Sequence, residues 1–209
     1  MVNSYLTLAT ANSAEHSIKK SRFIGHAAPV CSADEAMLFI QAIRQQHPDA
    51  NHNVWAYALR GGLLRYSDDG EPQGTAGLPT LDVLQKQCLV DCVVVVTRYF
   101  GGIHLGAGGL VRAYSQSAKL AVDAAGIAEM ALCAVVRTTL EYGLYGRAQN
   151  VISAMEGAVL DTQFGQEVML ELRVCAEEAS RLIENITDAC HGKVVCEVVR
   201  EEFAAVRGA

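Results

Sequence analysis

The sequence lacks several features that would place it in a specialised class of protein. It has only four prolines in 209 residues and no apolar run long enough to cross a membrane. The N-terminus shows no basic segment followed by an apolar one, so we expect no secretory signal and a cytoplasmic protein. With 51% apolar residues, the chain has enough material for one large domain or two small domains with cores of their own.

Disulfide and metal-binding cysteine patterns are also absent. The seven cysteines are odd in number, and no two of them have C-x-x-C spacing. Most lie among Val, Leu and Ala, which predicts buried, reduced thiols in a reducing compartment. Cys88 and Cys92 are four residues apart, but no nearby histidine or cysteine completes a metal site. The sequence therefore predicts no metal site and no cofactor.

Negative charge is concentrated in the second half of the chain. Residues 1–128 carry ten Lys/Arg and ten Asp/Glu, whereas residues 129–209 carry seven and thirteen, which accounts for the net charge of −6. Acidic surfaces repel the phosphate backbone, so we expect any nucleic-acid surface to lie in the first half. The acidic second half is expected to contact a protein partner instead.

Strand and helix patterns alternate regularly after Gly126. The order of these elements is βαββαβ, which is typical of a ferredoxin-like, split-βαβ domain. We therefore predict an α+β protein with an N-terminal domain over residues 1–128 and a C-terminal domain over residues 129–209. The C-terminal strands are predicted over 130–142, 158–164, 167–174 and 194–199, and the helices over 144–156 and 177–189.

The first half is predicted to be mixed α/β around one central strand. Residues 17–30 are predicted to form paired strands. Ser32 is predicted to be the N-cap of a helix that runs to about Gln46, with Glu35 three residues on as a capping box. A hairpin is expected around residues 60–62, and a further helix starts near Leu78. The run "CVVVVTRYF" over residues 92–100 is β-branched throughout, which predicts a central strand buried on both faces.

A glycine-rich segment joins this central strand to a long helix expected over residues 108–125. Strand, glycine turn and helix in this order can bind an anion, because glycine lets backbone N–H groups approach a ligand at the helix N-terminus. Neither the P-loop nor the dinucleotide fingerprint fits its spacing. Tight packing of helix on strand is the alternative explanation. The candidate anion-binding residues of the segment are Arg98, Gly101, Gly102, His104, Gly106, Gly108, Gly109 and Arg112.

An acidic loop, "YSDDGEPQGTAGLP", occupies residues 66–79. Its acids, Asp68, Asp69 and Glu71, have the chemistry of metal ligands or acid–base groups, although consecutive acids before a glycine are also typical of a turn. Thr75 is a candidate cap for the following helix, and Gly74 can expose a backbone donor. If this loop meets the glycine-rich segment, we expect its acids to pair with Arg98 or Arg112, or to share a ligand with them.

No pairing of a nucleophile with a base can be recognised around His52 or His104, so no catalytic residue is assigned. Four segments together nevertheless resemble the IMPACT/YigZ family, and most closely its bacterial YigZ-type members. The resemblance covers the chain nearly end to end. The matching segments are residues 20–24, residues 52–53, residues 68–72 with 74–77, and residues 97–102 with 105–114.

This resemblance implies a fold and a field of activity. It implies an N-terminal domain like the second domain of ribosomal protein S five and a C-terminal domain like the last domain of elongation factor G. Eukaryotic members regulate translation by interfering with a kinase, using an extra N-terminal domain that is not expected here. For bacterial members it implies a role with nucleic acid or the ribosome. Some members carry a dipeptidase label, but this sequence has no H-E-x-x-H motif to support that activity.

Three hypotheses follow. The first is a non-enzymatic binding protein that acts on translation through RNA, the ribosome or a translation factor. The second is an enzyme or sensor for a small phosphorylated ligand, with phosphate on the glycine-rich segment and a metal on the acidic loop. The third is that both motifs only stabilise the fold. The cations of the first hypothesis are Lys19, Lys20, Arg22, Arg98 and Arg112.

Overall fold

The computed structural model describes residues 4–155 and 157–207, which form a mixed α+β protein with two antiparallel sheets. The chain divides into two compact units between Glu129 and Met130. We call residues 5–129, to which residues 205–207 also belong, the N-terminal unit. Residues 130–204 together with Ser4 are the C-terminal unit. No helix among the described residues is long and apolar enough to span a membrane.

The N-terminal unit contains a sheet with the strand order β2-β3-β6-β4-β5. The strand predicted to be central, β6, lies in the middle, and its residues from Cys92 to Arg98 are all buried, as predicted. The chain order of elements is β1 (Ser4–Leu8), β2 (Asn12–Ile18), β3 (Ser21–Pro29), α1 (Ala33–Gln46), β4 (His52–Leu59), β5 (Leu63–Ser67), α2 (Gly77–Lys86), β6 (Cys92–Tyr99) and α3 (Ala107–Ala125).

Helices cover both faces of this sheet, because alternate side chains of β6 point to opposite sides. Val94 and Val96 join a core with α2 and α3, whereas Val93 and Val95 join a core with α1. The predicted apolar face of α3, which includes Leu110 and Tyr114, is buried in the first of these cores. The layered core therefore fixes the end of β6 and the start of α3, where the candidate site lies.

The C-terminal unit has the predicted βαββαβ order, and its strands lie in the order β10-β7-β9-β8. Its helices pack on one sheet face through a core that includes Leu170, Leu172 and Ile186. The alternating burial of β9 leaves the opposite face partly exposed. The elements are β7 (Ile127–Leu140), α4 (Tyr145–Ala154), β8 (Ala158–Phe164), β9 (Val168–Cys175), α5 (Ala179–Ala189) and β10 (Val194–Arg207).

Two sequence expectations differ from the observed unit. The last strand continues to Arg207 instead of ending near residue 199, and α5 begins at Ala179 after a single 3-10 turn. The predicted end of α4 at Glu156 lies outside the described residues. Across the whole chain, the prediction of buried cysteines fails at three of the seven, because these three lie at the ends of elements or in loops. The exposed thiols are Cys31, Cys88 and Cys175.

Candidate functional site

The acidic loop and the glycine-rich segment meet at one cleft of the N-terminal unit. The register of β4 on β6 places His52 opposite Arg98, so the start of one strand and the end of the other share one edge of the sheet. The acidic loop and the start of α3 close the same edge. The resulting cleft has a volume of about 390 Å³, and it is lined by Asn51, His52, Glu71, Pro72, Arg98, Phe100, His104, Leu105, Gly106, Ala107 and Leu110.

A buried ion pair lies beneath the cleft. Arg98 Nη1 donates to Glu71 Oε1 at 2.5 Å, and the Tyr114 hydroxyl donates to the same oxygen at 2.7 Å. The Glu71 and Arg98 side chains are only 4% and 6% exposed. One acid of the loop therefore pairs with Arg98, as predicted, whereas Arg112 takes no part. Arg98 is accordingly buried and engaged by Glu71, and its predicted role in binding an anion or nucleic acid stays a prediction.

The sequence indicates Tyr114 only as part of an apolar helix face. Burial, and then the neighbouring Glu71 carboxylate, raise the pKa of Tyr114 above its usual range, so its hydroxyl stays protonated and donates. Only the packing of α3 brings this hydroxyl to the ion pair. The one signal in the sequence for this contact is a tyrosine, with its polar hydroxyl, on a helix face that is otherwise apolar and rich in alanine.

Asp69 ties the acidic loop to α1 and β4. Its carboxylate accepts hydrogen bonds from Arg44 Nη2 at 2.5 Å and from the Asn53 backbone N–H at 2.7 Å. Its backbone carbonyl lies 2.8 Å from His52 Nδ1. Because a carbonyl oxygen only accepts, His52 carries its proton on Nδ1, and its Nε2 lies 3.8 Å from Glu71 Oε1.

The Asp68 side chain binds backbone groups at the start of α2, the helix that follows the loop. Its carboxylate accepts hydrogen bonds from the backbone N–H groups of Gly74, Ala76 and Gly77 at 2.9, 3.0 and 2.8 Å. The predicted cap, Thr75, instead donates its hydroxyl hydrogen to the Pro72 carbonyl at 2.6 Å. The capping prediction was wrong because the loop folds back and brings an acid from nine residues upstream to the helix start at Gly77.

All three acids are thus engaged by protein donors. Among the described residues, no group of three or more His, Cys, Asp or Glu side chains is arranged to hold a metal ion. The acids of the loop work as hydrogen-bond acceptors that fix its shape, and their negative charge is offset locally by Arg44, Arg98 and backbone donors.

The glycine-rich segment supports a strained lysine turn. Lys19 and Lys20, the two loop residues between β2 and β3, have φ values of 46° and 66°, a left-handed pair that is uncommon for lysine. A Cβ atom at Gly101 would lie 2.0 Å from the Lys20 carbonyl carbon, so only glycine permits this approach. The Gly101 N–H also donates to Ser21 Oγ at 3.2 Å. The two motifs therefore hold each other in place.

The start of α3 forms another wall of the cleft. Gly106 precedes the helix with φ 72°, and no side chain caps the first turn, which contains no acidic residue. Gly102 also has a positive φ, of 83°. Gly108 and Gly109 have ordinary backbone angles. A Cβ at Gly109 would lie 3.0 Å from the Leu105 side chain, so this glycine serves close packing.

An exposed aromatic and cationic surface borders the cleft. Phe100 is 40% exposed, and its ring centroid lies 5.1 Å from that of the exposed His104. Lys20 and Arg112 are exposed and have no ion-pair partner among the described residues. Arg22, by contrast, is bound to Glu15 by two hydrogen bonds of 2.7 Å. We call Lys19, Lys20, Phe100, His104 and Arg112 the loop surface.

The fold and this site define an α+β protein of two units with a preformed cleft in the N-terminal one. Residues 19–122 match the family described as the Impact N-terminal domain, and residues 138–193 match a domain of unknown function, DUF1949. The IMPACT family member YvyE of Bacillus subtilis is 40% identical over 195 residues, covering 92% of this chain and 90% of that protein. This chain therefore belongs to the IMPACT family.

Two further similarities span both units. The IMPACT family member YigZ of Escherichia coli is 29% identical over 204 residues, covering 96% of this chain and all of that protein. A solved structure titled "Crystal structure of an hypothetical protein" superposes with a TM-score of 0.62 at 29% identity, and the match covers 97% of this chain and 100% of that one. The likeness in sequence and in structure thus extends over nearly the whole chain.

Proposed function

We propose that this protein is a non-enzymatic binding protein that acts on translation by contacting RNA, in the ribosome or free, through the loop surface. Membership of the IMPACT family supports the field of activity. The proposal includes the likeness of the N-terminal unit to the second domain of ribosomal protein S five. A second part of the proposal is that the C-terminal unit resembles the last domain of elongation factor G.

The lysine turn is the observation that carries this proposal. Left-handed backbone at two consecutive lysines costs roughly 1–3 kcal/mol per residue, and such strain persists where the surrounding structure holds it. The Lys20 backbone lies against Gly101, which follows the exposed Phe100 in the chain, so the turn brings two lysines to the same part of the surface as an aromatic ring. Proteins that bind single-stranded RNA combine these elements, because cations follow the phosphates while aromatic rings stack on bases.

The charge distribution around the cleft is compatible with an approaching phosphate backbone. The acids of the neighbouring loop are offset by Arg44, Arg98 and backbone donors, whereas Lys20 and Arg112 keep their charges free among the described residues. A phosphate near the loop surface therefore meets net positive charge. The C-terminal unit, with its excess of acids, is proposed to bind a protein partner rather than RNA.

Salt-dependent binding to ribosomal RNA tests the proposal. We expect fluorescence anisotropy to show affinity that falls as salt rises, with the slope of log K against log salt reduced by about 0.7 for each cation removed in the Lys20→Ala/Arg112→Ala protein. A Phe100→Ala protein is expected to lose roughly 1–3 kcal/mol of binding through lost base stacking. Binding that ignores salt, or no binding to ribosomal RNA or ribosomes, would contradict the proposal.

Two exposed cations elsewhere in the same unit provide the matched control. Arg65 lies on β5 and Lys86 at the end of α2. The Arg65→Ala/Lys86→Ala protein removes the same number of charges, and we expect it to bind RNA with the affinity and salt slope of the unaltered chain. Equal losses in both double variants would indicate an effect of net charge alone and would count against the loop surface.

A second candidate is a sensor or enzyme for a small phosphorylated ligand. The cleft favours it, since about 390 Å³ falls within the range of small-molecule pockets and the α3 start presents backbone donors free of side-chain caps. We expect such a protein to unfold at a higher temperature with a nucleotide or inorganic phosphate, with or without Mg²⁺. A screen of these ligands without any shift would remove this candidate and leave RNA binding untouched.

A further inference from the structure

Two cysteines face each other across the sheet of the C-terminal unit. Cys133 on β7 and Cys175 on β9 are directly opposite partners in the antiparallel register. Directly opposite residues in such a pair have Cα atoms about 4.5–5.5 Å apart, which lies inside the range of about 4.4–6.8 Å found in disulfides. Their side chains also leave the same face of the sheet, because register partners always do.

The two thiols differ in access, and this difference suits sequential thiol chemistry. Cys175 is exposed, whereas Cys133 is 2% exposed. Burial, and then the neighbouring Cys175, raise the pKa of the Cys133 thiol, while the nearby Arg173 guanidinium acts in the opposite direction. The Cys175 side chain is thus a direct neighbour of the Cys133 thiol on this face of the sheet. An oxidant from solvent therefore reaches Cys175 first.

We propose that Cys133 and Cys175 form a thiol-modification site, which a small disulfide oxidises to a cross-strand disulfide. In the first step the Cys175 thiolate attacks one sulfur of the small disulfide, forms a mixed disulfide and releases one equivalent of small thiol. In the second step the Cys133 thiolate attacks the Cys175 sulfur and releases the second equivalent. Two protein thiols are oxidised, and one small disulfide is reduced to two thiols.

The other cysteines lack one or both of these properties. Cys31 and Cys88 are exposed, but the structure gives neither a facing thiol among the described residues, whereas Cys92 and Cys190 are buried. Cys196 is half-buried, contacts the Thr138 hydroxyl at 3.1 Å and lies near the buried Cys190, so this second pair has no exposed thiol that an oxidant reaches first. The exposed cysteines should therefore stop at the mixed disulfide, and only the facing pair should proceed to an internal bond.

Treatment of the folded full-length chain with oxidised glutathione tests the proposal. After trapping of free thiols and proteolysis, mass spectrometry is expected to find a cross-linked peptide joining Cys133 to Cys175, lighter by two hydrogens and split by dithiothreitol. Cys31 and Cys88 are expected to carry glutathione. The oxidised chain should also unfold at a higher temperature, because the bond closes a long loop.

Single variants separate the two steps. The Cys133→Ser protein is expected to accumulate glutathione on Cys175, and the Cys175→Ser protein to leave Cys133 unmodified while the chain stays folded. Stable glutathione on Cys175 of the unaltered chain, with Cys133 still free, would overturn the proposal. So would a cross-link through any other cysteine in place of this pair. The measurement on the unaltered chain decides the matter even if a variant fails to fold.

Discussion

Charged side chains meet in both units, but under opposite conditions. Beneath the cleft, Glu71, Arg98 and Tyr114 are shielded from solvent and arranged around one carboxylate oxygen. On the open sheet face of the C-terminal unit, Glu171 bridges Arg137 at 2.9 Å and Arg200 at 3.3 Å, with the Arg137 side chain 40% exposed. The side chains of the first pair are almost fully shielded from solvent, whereas those of the second group are partly exposed to it.

This contrast distinguishes buried charges, which the fold needs to keep paired, from exposed charges, whose pairing adds little to stability. Hydrogen bonds from Arg137 and then Arg200 lower the pKa of Glu171, so its carboxylate stays ionised, yet solvent screens the pair. A buried pair contributes less than its geometry suggests, but breaking it leaves one charge stranded in the interior. Similar residue types therefore predict very different consequences of mutation in the two units.

The largest effect is expected from Glu71→Ala. Removing this carboxylate leaves the Arg98 guanidinium and the Tyr114 hydroxyl buried without their partner, which is expected to cost about 3–5 kcal/mol of unfolding free energy. Urea unfolding measures the loss. Glu71→Gln keeps the shape and one acceptor and should cost less. If the alanine variant loses less than about 1 kcal/mol of unfolding free energy, the buried pair matters no more to stability than an exposed salt bridge.

The next effect tests the lysine turn. In Gly101→Ala the new methyl group would overlap the Lys20 carbonyl, so we expect a loss of about 1–3 kcal/mol and a displaced turn. Gly102→Ala is the matched control, because its Cβ would meet no atom within 4 Å and only its positive φ of 83° is strained. If both variants unfold at the same urea concentration, the close approach at Gly101 is not what fixes the turn.

A smaller loss is expected at the start of α2. Asp68→Ala removes the acceptor of three backbone N–H groups, and cap removal typically costs about 1–2 kcal/mol. Thr75→Ala serves as the comparison, since its hydroxyl binds one carbonyl and caps nothing. Circular dichroism during urea unfolding should rank Asp68→Ala below Thr75→Ala in stability. The reverse ranking would restore the sequence-based assignment of the cap.

Acid should reveal a further modest difference, through His26. Burial, and then the neighbouring His47, lower the pKa of His26 from 6.5 to about 4. The unfolded chain therefore binds a proton at a higher pH than the folded chain. The contribution of neutral His26 to the free energy of unfolding is therefore complete above pH 6.5 and is lost as the pH falls towards 4. The His26→Gln protein should show a flatter decline in thermal stability over this window, and an unchanged slope would argue against the shift.

The smallest effect belongs to the open face of the C-terminal unit. Glu171→Gln removes the charge that Arg137 and Arg200 share, but water can hydrate both cations. We expect a slight loss of thermal stability at low salt that disappears at high salt, because ions screen exposed pairs. A large, salt-independent loss would erase the distinction between the two units.

Much of the fold could be predicted from the sequence, because helices, strands and their caps depend on residues close together in the chain. Ser32 was expected to cap α1, and its side chain does accept from the Glu35 N–H at 3.1 Å. The βαββαβ order and the central position of β6 were also confirmed. The cap of α2 was missed, since Asp68 reaches it only after the loop folds back. A cap at long sequence separation leaves no local signal.

The sequence by itself determined most of the elements, their order and the two loops of the cleft, although β1 was not predicted and the strand pair predicted over residues 17–30 begins at Asn12 instead. Periodicity and composition are local properties, so they survive without knowledge of contacts. Only the tertiary structure decided what each charge does: Glu71 neutralises Arg98, Arg22 is engaged by Glu15, and Lys20 and Arg112 stay exposed. Burial and partnership arise from packing between distant segments, and these properties determine whether a charge stabilises the interior or is available to bind a ligand.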